Sequence, residues 1–174
     1  MELPVWLTPA RLANMAFVLA LALIAVSIES APLGFRADAW PSPDMVFCIV
    51  AYWSLRRPQA VPLLLIFGLG LARDLLTDLP AGAGALTLVL ASEGLKAGAG
   101  PLSRRGFGPE WLAVAGAFAA VLLAQWLMVL LVLSHPPYLV ELGQQWLVTL
   151  AVYPPLAAVL RWPFGVRRAS AGEG

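Results

Sequence analysis

Six apolar segments alternate with short polar ones along the 174-residue chain. Leu12 to Ile28, interrupted by Asn14 and Ser27, is the first, and Val61 to Leu79 is the third. Pro43 to Leu55 is the second and the shortest, while the fourth, Ala81 to Gly98, is rich in Gly and Ala. Trp111 to Leu133 and Leu142 to Leu160 complete the set. A helix needs about 20 apolar residues, roughly 17 to 25, to cross the hydrocarbon of a bilayer. The pattern therefore predicts an all-α integral membrane protein of six transmembrane helices over residues 1–165, followed by a short tail, 166–174. The second span must tilt, lie in thinned bilayer, or begin within the semi-polar stretch Ser30 to Ser42. The sixth must kink or end at Pro154-Pro155. The first is read as a retained span, because its apolar run exceeds the about 7 to 15 residues of a cleaved signal and Arg11 alone precedes it, against Glu2.

Basic residues orient the spans, since Lys and Arg in short loops are held on the cytoplasmic side. With a cytoplasmic N-terminus, one side receives Arg11, Arg56, Arg57, Lys96, Arg104, Arg105, Arg161, Arg167 and Arg168, nine of the eleven basic residues. The other receives Arg36, and Arg73 lies within the third span. Omitting one span would scatter the basic pairs over both faces, so both termini are expected in the cytoplasm. Trp6, Trp53, Trp111 and Trp162 fall near predicted span ends, where indole rings favour the headgroup region.

Composition agrees with lipid as the solvent. Hydrophobic residues make up 60% of the chain and charged ones 12%, against roughly 25% charged in soluble domains. The net charge of +1 says nothing about nucleic acid, but the eleven basic residues form no stripe or long run of the kind a phosphate-binding face needs, and no nucleic-acid partner is expected. Cys48, the one cysteine, stands in an apolar run and reads as a small buried hydrophobe.

The charges inside the third span, GLGLARDLLTD, demand an explanation. Arg73 and Asp74 point about 100° apart on a helix, whereas Asp74 and Asp78 share a face. Arg73 therefore needs a partner other than Asp74. In one reading Arg73 reaches outer headgroups and both aspartates reach water. In the other, Asp74 faces the bundle interior and caps a neighbouring element or another chain. Asp44, opening the second span after Pro43, is expected to be a helix cap. Glu93 and Lys96, three apart on the fourth span, are expected to pair. Gly68, Gly70, Gly82, Gly84, Gly94, Gly98 and Gly100 mark the third and fourth spans as a close-packed centre, with Gly94 and Gly98 at small-xxx-small spacing.

Catalysis finds no constellation. His135, the sole histidine, lies in the loop sequence SHPPY beside Ser134; Ser92 is remote from it along the chain, and no serine sits in a G-x-S-x-G context. The aspartates Asp74 and Asp78 share one helix instead of converging from two. One His, one Cys and scattered carboxylates make no zinc set. No enzyme activity, catalytic residue, metal or cofactor is expected.

The run SPDMVFCIVAYWSLRRPQAVPLLLIFGLGLARDLLTDLPAGAGAL resembles the rod-shape-determining protein MreD family. Its matching features are Pro43-Asp44 opening a short span, Tyr52-Trp53 near that span's inner end and the turn Arg56-Arg57-Pro58. Gly68, Gly70 and Asp74-Leu75 follow, then Gly84 and another apolar span. The block covers about a quarter of the chain; elsewhere the likeness is one of length and six-span layout. The resemblance implies a non-enzymatic, multi-pass subunit of the bacterial inner membrane that binds MreC. Its neighbours in the elongation machinery would be MreB, a RodA-type glycosyltransferase, a penicillin-binding transpeptidase and membrane lipid. It makes Asp44, Trp53, Arg56, Arg57, Gly68, Gly70, Asp74 and Gly84 the expected partner or packing determinants. Departures are the outer turn TDLPAGAG and Arg73 directly before Asp74. The family's fold is also similar to the substrate-binding subunits of energy-coupling-factor vitamin transporters, so a solute-binding subunit is the rival reading. Its outer-side candidates would be Trp40, Asp44, Asp74, Asp78 and Tyr138. The few Asn, Gln and Ser residues in the spans favour the scaffold.

Overall fold

The computed structural model describes residues 9–30, 41–76, 82–104, 106–133 and 138–164, and among these every regular element is a helix. The helices are α1 (Pro9–Ser30), α2 (Met45–Arg56), α3 (Leu63–Asp74), α4 (Ala83–Arg104), α5 (Phe107–Leu133) and α6 (Leu139–Phe164). The neighbourhoods of Trp6, Arg36, Trp40, Asp78 and His135, and the tail 166–174, lie outside the described residues.

Local chemistry sets several boundaries. The Asp44 carboxylate accepts from Phe47 N and caps α2. At the other end Arg57 N donates to Trp53 O, and Pro58, which cannot continue the ladder, opens a single 3-10 turn, Pro58–Ala60. Pro62 is extended and starts α3, its carbonyl accepting from Leu65 and Ile66. Gly82 and Gly106, at φ of 94° and 92°, precede α4 and α5 and occupy a region that costs glycine little.

The expected segments all appear as helices, with changed lengths. The third is shorter than the Val61–Leu79 run, because α3 ends at Asp74 in a turn at Leu75 and Leu76. The fourth is longer, passing through Pro101 to Arg104. The sixth does not end at Pro154-Pro155, which lie inside α6. Helix α5, over Phe107–Leu131, is long and apolar enough to cross a membrane by length and composition; Ala13–Ser27 and Met45–Arg56 are shorter apolar helices.

Helices α2 and α4 form the centre. Every residue of α2 from Val46 to Leu55 is buried, as a helix apolar on all sides must be, and α2 packs on α1, α4, α5 and α6. Helix α4 packs on α2, α3 and α5. Phe47 meets Phe118 with ring centroids 4.6 Å apart, joining α2 to α5. Trp53 is 3% exposed, against Tyr52 and against Phe17 of α1, so it is a core residue and not an interfacial one. Large apolar side chains face outward on α3, α5 and α6, among them Leu63, Leu64, Leu123, Leu131 and Val159.

The glycines divide into two groups. A Cβ on Gly70 would collide with the Ala85 backbone, and one on Gly84 with the Asp74 carboxylate, so α3 and α4 approach closely at these two positions. Gly68 and Gly94 have open space, and Gly98 meets Leu102 of its own helix. Gly68 is thus no packing determinant within the bundle, and the Gly94–Gly98 spacing makes no helix crossing.

Candidate functional site

Two polar clusters occupy opposite ends of the bundle. At the first, where α2 and α4 begin and α3 ends, Asp44 is 3% exposed and fully engaged. Its Oδ1 accepts from Phe47 N at 2.8 Å, its Oδ2 pairs with Arg73 Nη1 at 2.6 Å, and its backbone N donates to Thr149 Oγ1 at 3.0 Å. The Cys48 thiol donates to Thr149 O at 3.7 Å, adding a second tie between α2 and α6. Asp44 is therefore the expected cap and also the partner that Arg73 required. The reading in which Arg73 extends to headgroups is corrected: its side chain is 12% exposed and turned inward to a carboxylate.

Asp74, 2% exposed, stands one residue further round α3 and points elsewhere, as the 100° step requires. Its Oδ2 accepts from Gly82 N at 2.9 Å and Ala85 N at 3.1 Å, satisfying donors at the start of α4 that have no partner in their own helix. The carboxylate also favours the positive end of the α4 dipole. Its Oδ1 lies against Gly84 without a hydrogen-bond partner. Asp74 thus faces the interior and caps a neighbouring element; it does not reach water or the bundle's outer surface.

At the opposite end, Arg56 Nη2 straddles Glu110, 3.1 Å from Oε1 and 3.2 Å from Oε2. Tyr153 of α6 donates to the same Oε1 at 3.2 Å, and the Arg56 guanidinium lies 4.9 Å from the centroid of the Tyr52 ring. This cluster ties α2, α5 and α6 together. Arg57, by contrast, is exposed and contributes its backbone to the end of α2. The expected Glu93–Lys96 pair forms at 2.8 Å, and Lys96 Nζ also donates to Val61 O at 2.7 Å, holding the start of α3 against α4.

Glu110, Thr149 and Tyr153 were not among the residues singled out in the sequence. Glu110 had a visible signal, an acidic residue in the first turn of an apolar helix. Thr149 and Tyr153 had none, since ordinary apolar context surrounds both.

A cavity of about 430 Å³ lies between α4 and α5, lined by Leu90, Ala91 and Leu95 on one side and Ala113, Ala117 and Val121 on the other. Thr87 is its polar lining residue; its hydroxyl is shared between the carbonyls of Ala83 and Gly84 and accepts from Gln125 Nε2 at 3.1 Å. Among the described residues, no three His, Cys, Asp or Glu side chains gather where a metal ion could be held. Comparison with protein-family profiles, with characterised proteins and with solved structures returns no match to this chain.

Proposed function

We propose that this chain is a non-catalytic, six-span subunit of the bacterial inner membrane that holds MreC in the cell-elongation machinery and so helps to organise peptidoglycan synthesis. Both termini are cytoplasmic in this reading, in keeping with the segregation of nine of eleven basic residues to one side. One observation carries the proposal. Four of the residues on which the MreD resemblance rests, Asp44, Gly70, Asp74 and Gly84, converge at one end of the bundle and lock α2, α3 and α4 together. The carboxylates of Asp44 and Asp74 are both turned to partners inside the chain.

A solute-binding subunit, the second reading, draws on the 430 Å³ cavity, whose size lies within the range of ligand sites. Its lining argues for the scaffold: recognition of a polar vitamin needs several convergent polar groups, and Thr87 already has partners inside the protein. Mild-detergent purification from bacterial membranes at native expression separates the two. Co-elution of MreC supports the scaffold; co-elution of an ATPase module without MreC overturns it.

A further inference from the structure

Helices α4 and α5 turn small residues toward the cavity between them. Ala91 and Gly94 on one side and Ala113, Ala117, Ala120 and Ala124 on the other leave the 430 Å³ open, and a Cβ added to Gly94 would meet nothing. The cavity opens to the outside of the bundle, since Leu90, Gly94 and Ala120 in its lining are exposed while Leu95 and Val121 are buried.

Its shape is that of a slot. On α5 it runs from Ala113 to Ala124, about 16 Å of rise, and on α4 from Thr87 to Leu102, about 22 Å. A volume of about 430 Å³ over that length leaves a width of about 5 to 6 Å. A polymethylene chain, whose carbons pack about 3.5 to 4.0 Å from their neighbours, fits this width. A helix, about 10 to 12 Å across with its side chains, does not. One lipid chain reaches about 15 Å, half of a bilayer's hydrocarbon, and so occupies most of the slot.

The walls select among smaller occupants. A buried water needs about 2 to 4 polar partners. The slot has Thr87, whose hydroxyl is already bonded to Ala83 O, Gly84 O and Gln125 Nε2, the last bond joining α4 to α5. A polar solute fails for the same reason. An empty slot would forfeit the dispersion contacts of its lining, and a dry apolar cavity of about 150 Å³ is already enough to take up benzene.

We propose that the α4–α5 slot is a binding site for one straight acyl chain of a membrane lipid. The proposal rests on the membrane-embedded reading above and needs no partner protein. A chain in the slot has protein on several sides, whereas a chain beside α6 has it on one, so the slot should hold lipid in preference to the open surface.

The test uses the full chain in phosphatidylcholine vesicles with a trace of palmitoyl phosphatidylcholine carrying a photoactivatable diazirine on its chain, and adducts are mapped by peptide mass spectrometry. Labelling of residues 91–95 and 113–124 is expected about threefold or more above that of Leu147 and Val159, which are exposed on α6. Gly94→Leu and Ala117→Leu fill the slot from opposite walls and should bring its labelling down to the α6 level; two walls are used so that a variant that does not fold leaves the other. Equal labelling of slot and α6 in the parent chain overturns the site while leaving the membrane reading intact. An unlabelled slot beside a labelled α6 also overturns it, because protein then covers the slot. Undiminished slot labelling in a folded filled variant overturns it as well. A chain that fails to float with the vesicles removes both readings.

Discussion

Arg73 at the end of α3 and Asp44 at the start of α2 form a buried ion pair, with Nη1 2.6 Å from Oδ2. The pair joins the last turn of one helix to the cap of another, so one carboxylate serves a local and a tertiary contact at once. Removing either partner leaves a charge in a poorly solvated place, a larger loss than the pair's own net value.

Arg73→Gln is accordingly expected to destabilise the protein by about 3 kcal/mol. Asp44→Asn loses the pair yet keeps an acceptor for Phe47 N, and the double variant should lose less than the sum of the two singles. Thermal unfolding in detergent, run as a double-mutant cycle, checks this. Additive effects would show that the two side chains do not interact.

Asp74→Ala strips the acceptor from two backbone donors at the start of α4, and a cost of about 1 to 2 kcal/mol is expected. Asp74→Asn keeps an oxygen for those donors and should lose less. Because the carboxylate is internal, the proposed retention of MreC per folded molecule should be the same in both variants as in the parent chain. The measurement is co-purification normalised to folded protein; a loss of MreC at unchanged stability would assign Asp74 to the partner contact instead.

Three glycine substitutions sort the α3–α4 contact. Gly70→Ala and Gly84→Ala push a methyl into Ala85 and Asp74 respectively, and overpacking of this kind costs about 1 to 3 kcal/mol. Gly68→Ala enters open space and gains helix propensity, so its melting temperature should hold or rise. A destabilised Gly68→Ala would be inconsistent with the exposed position.

At the other end, Glu110→Ala should cost about 3 kcal/mol or more, since Arg56 is left without its carboxylate. Tyr153→Phe removes one hydrogen bond, for about 1 kcal/mol. Arg56→Lys should not rescue, because an ammonium reproduces neither the two-oxygen contact nor the packing on Tyr52. Unfolding midpoints of the three variants rank the contributions, and a wild-type midpoint for Glu110→Ala would remove the cluster from the stability argument.

Topology has its own check. Reporters active only outside the cytoplasm should work when fused after Arg36, Asp78 or His135, and cytoplasmic reporters after Arg57, Arg105 and Gly174. An outside C-terminus would overturn the six-span reading.

Hydrophobic patterning in the sequence determined the number and order of the helices, because runs such as Trp111–Leu133 and Leu142–Leu160 carry their helical signal locally. It also identified the Asp44 cap and the Glu93–Lys96 pair, since each depends on residues three apart. What it left open was direction. A 100° step between Arg73 and Asp74 proves that they diverge but does not say what each meets. That depended on packing: α3 lies against α4 closely enough, through Gly70 and Gly84, for Asp74 to reach the first donors of α4 while Arg73 reaches α2. Likewise Gly68 and Gly70 are equivalent in sequence terms, yet two residues turn a helix by about 200°, so one faces α4 and the other faces outward. Glu110 and Tyr153 are 43 residues apart, and only the close packing of α5 and α6 on α2 brings both to the Arg56 end. Contacts within a turn are legible from spacing; contacts between helices depend on their rotation and separation, which the whole bundle sets.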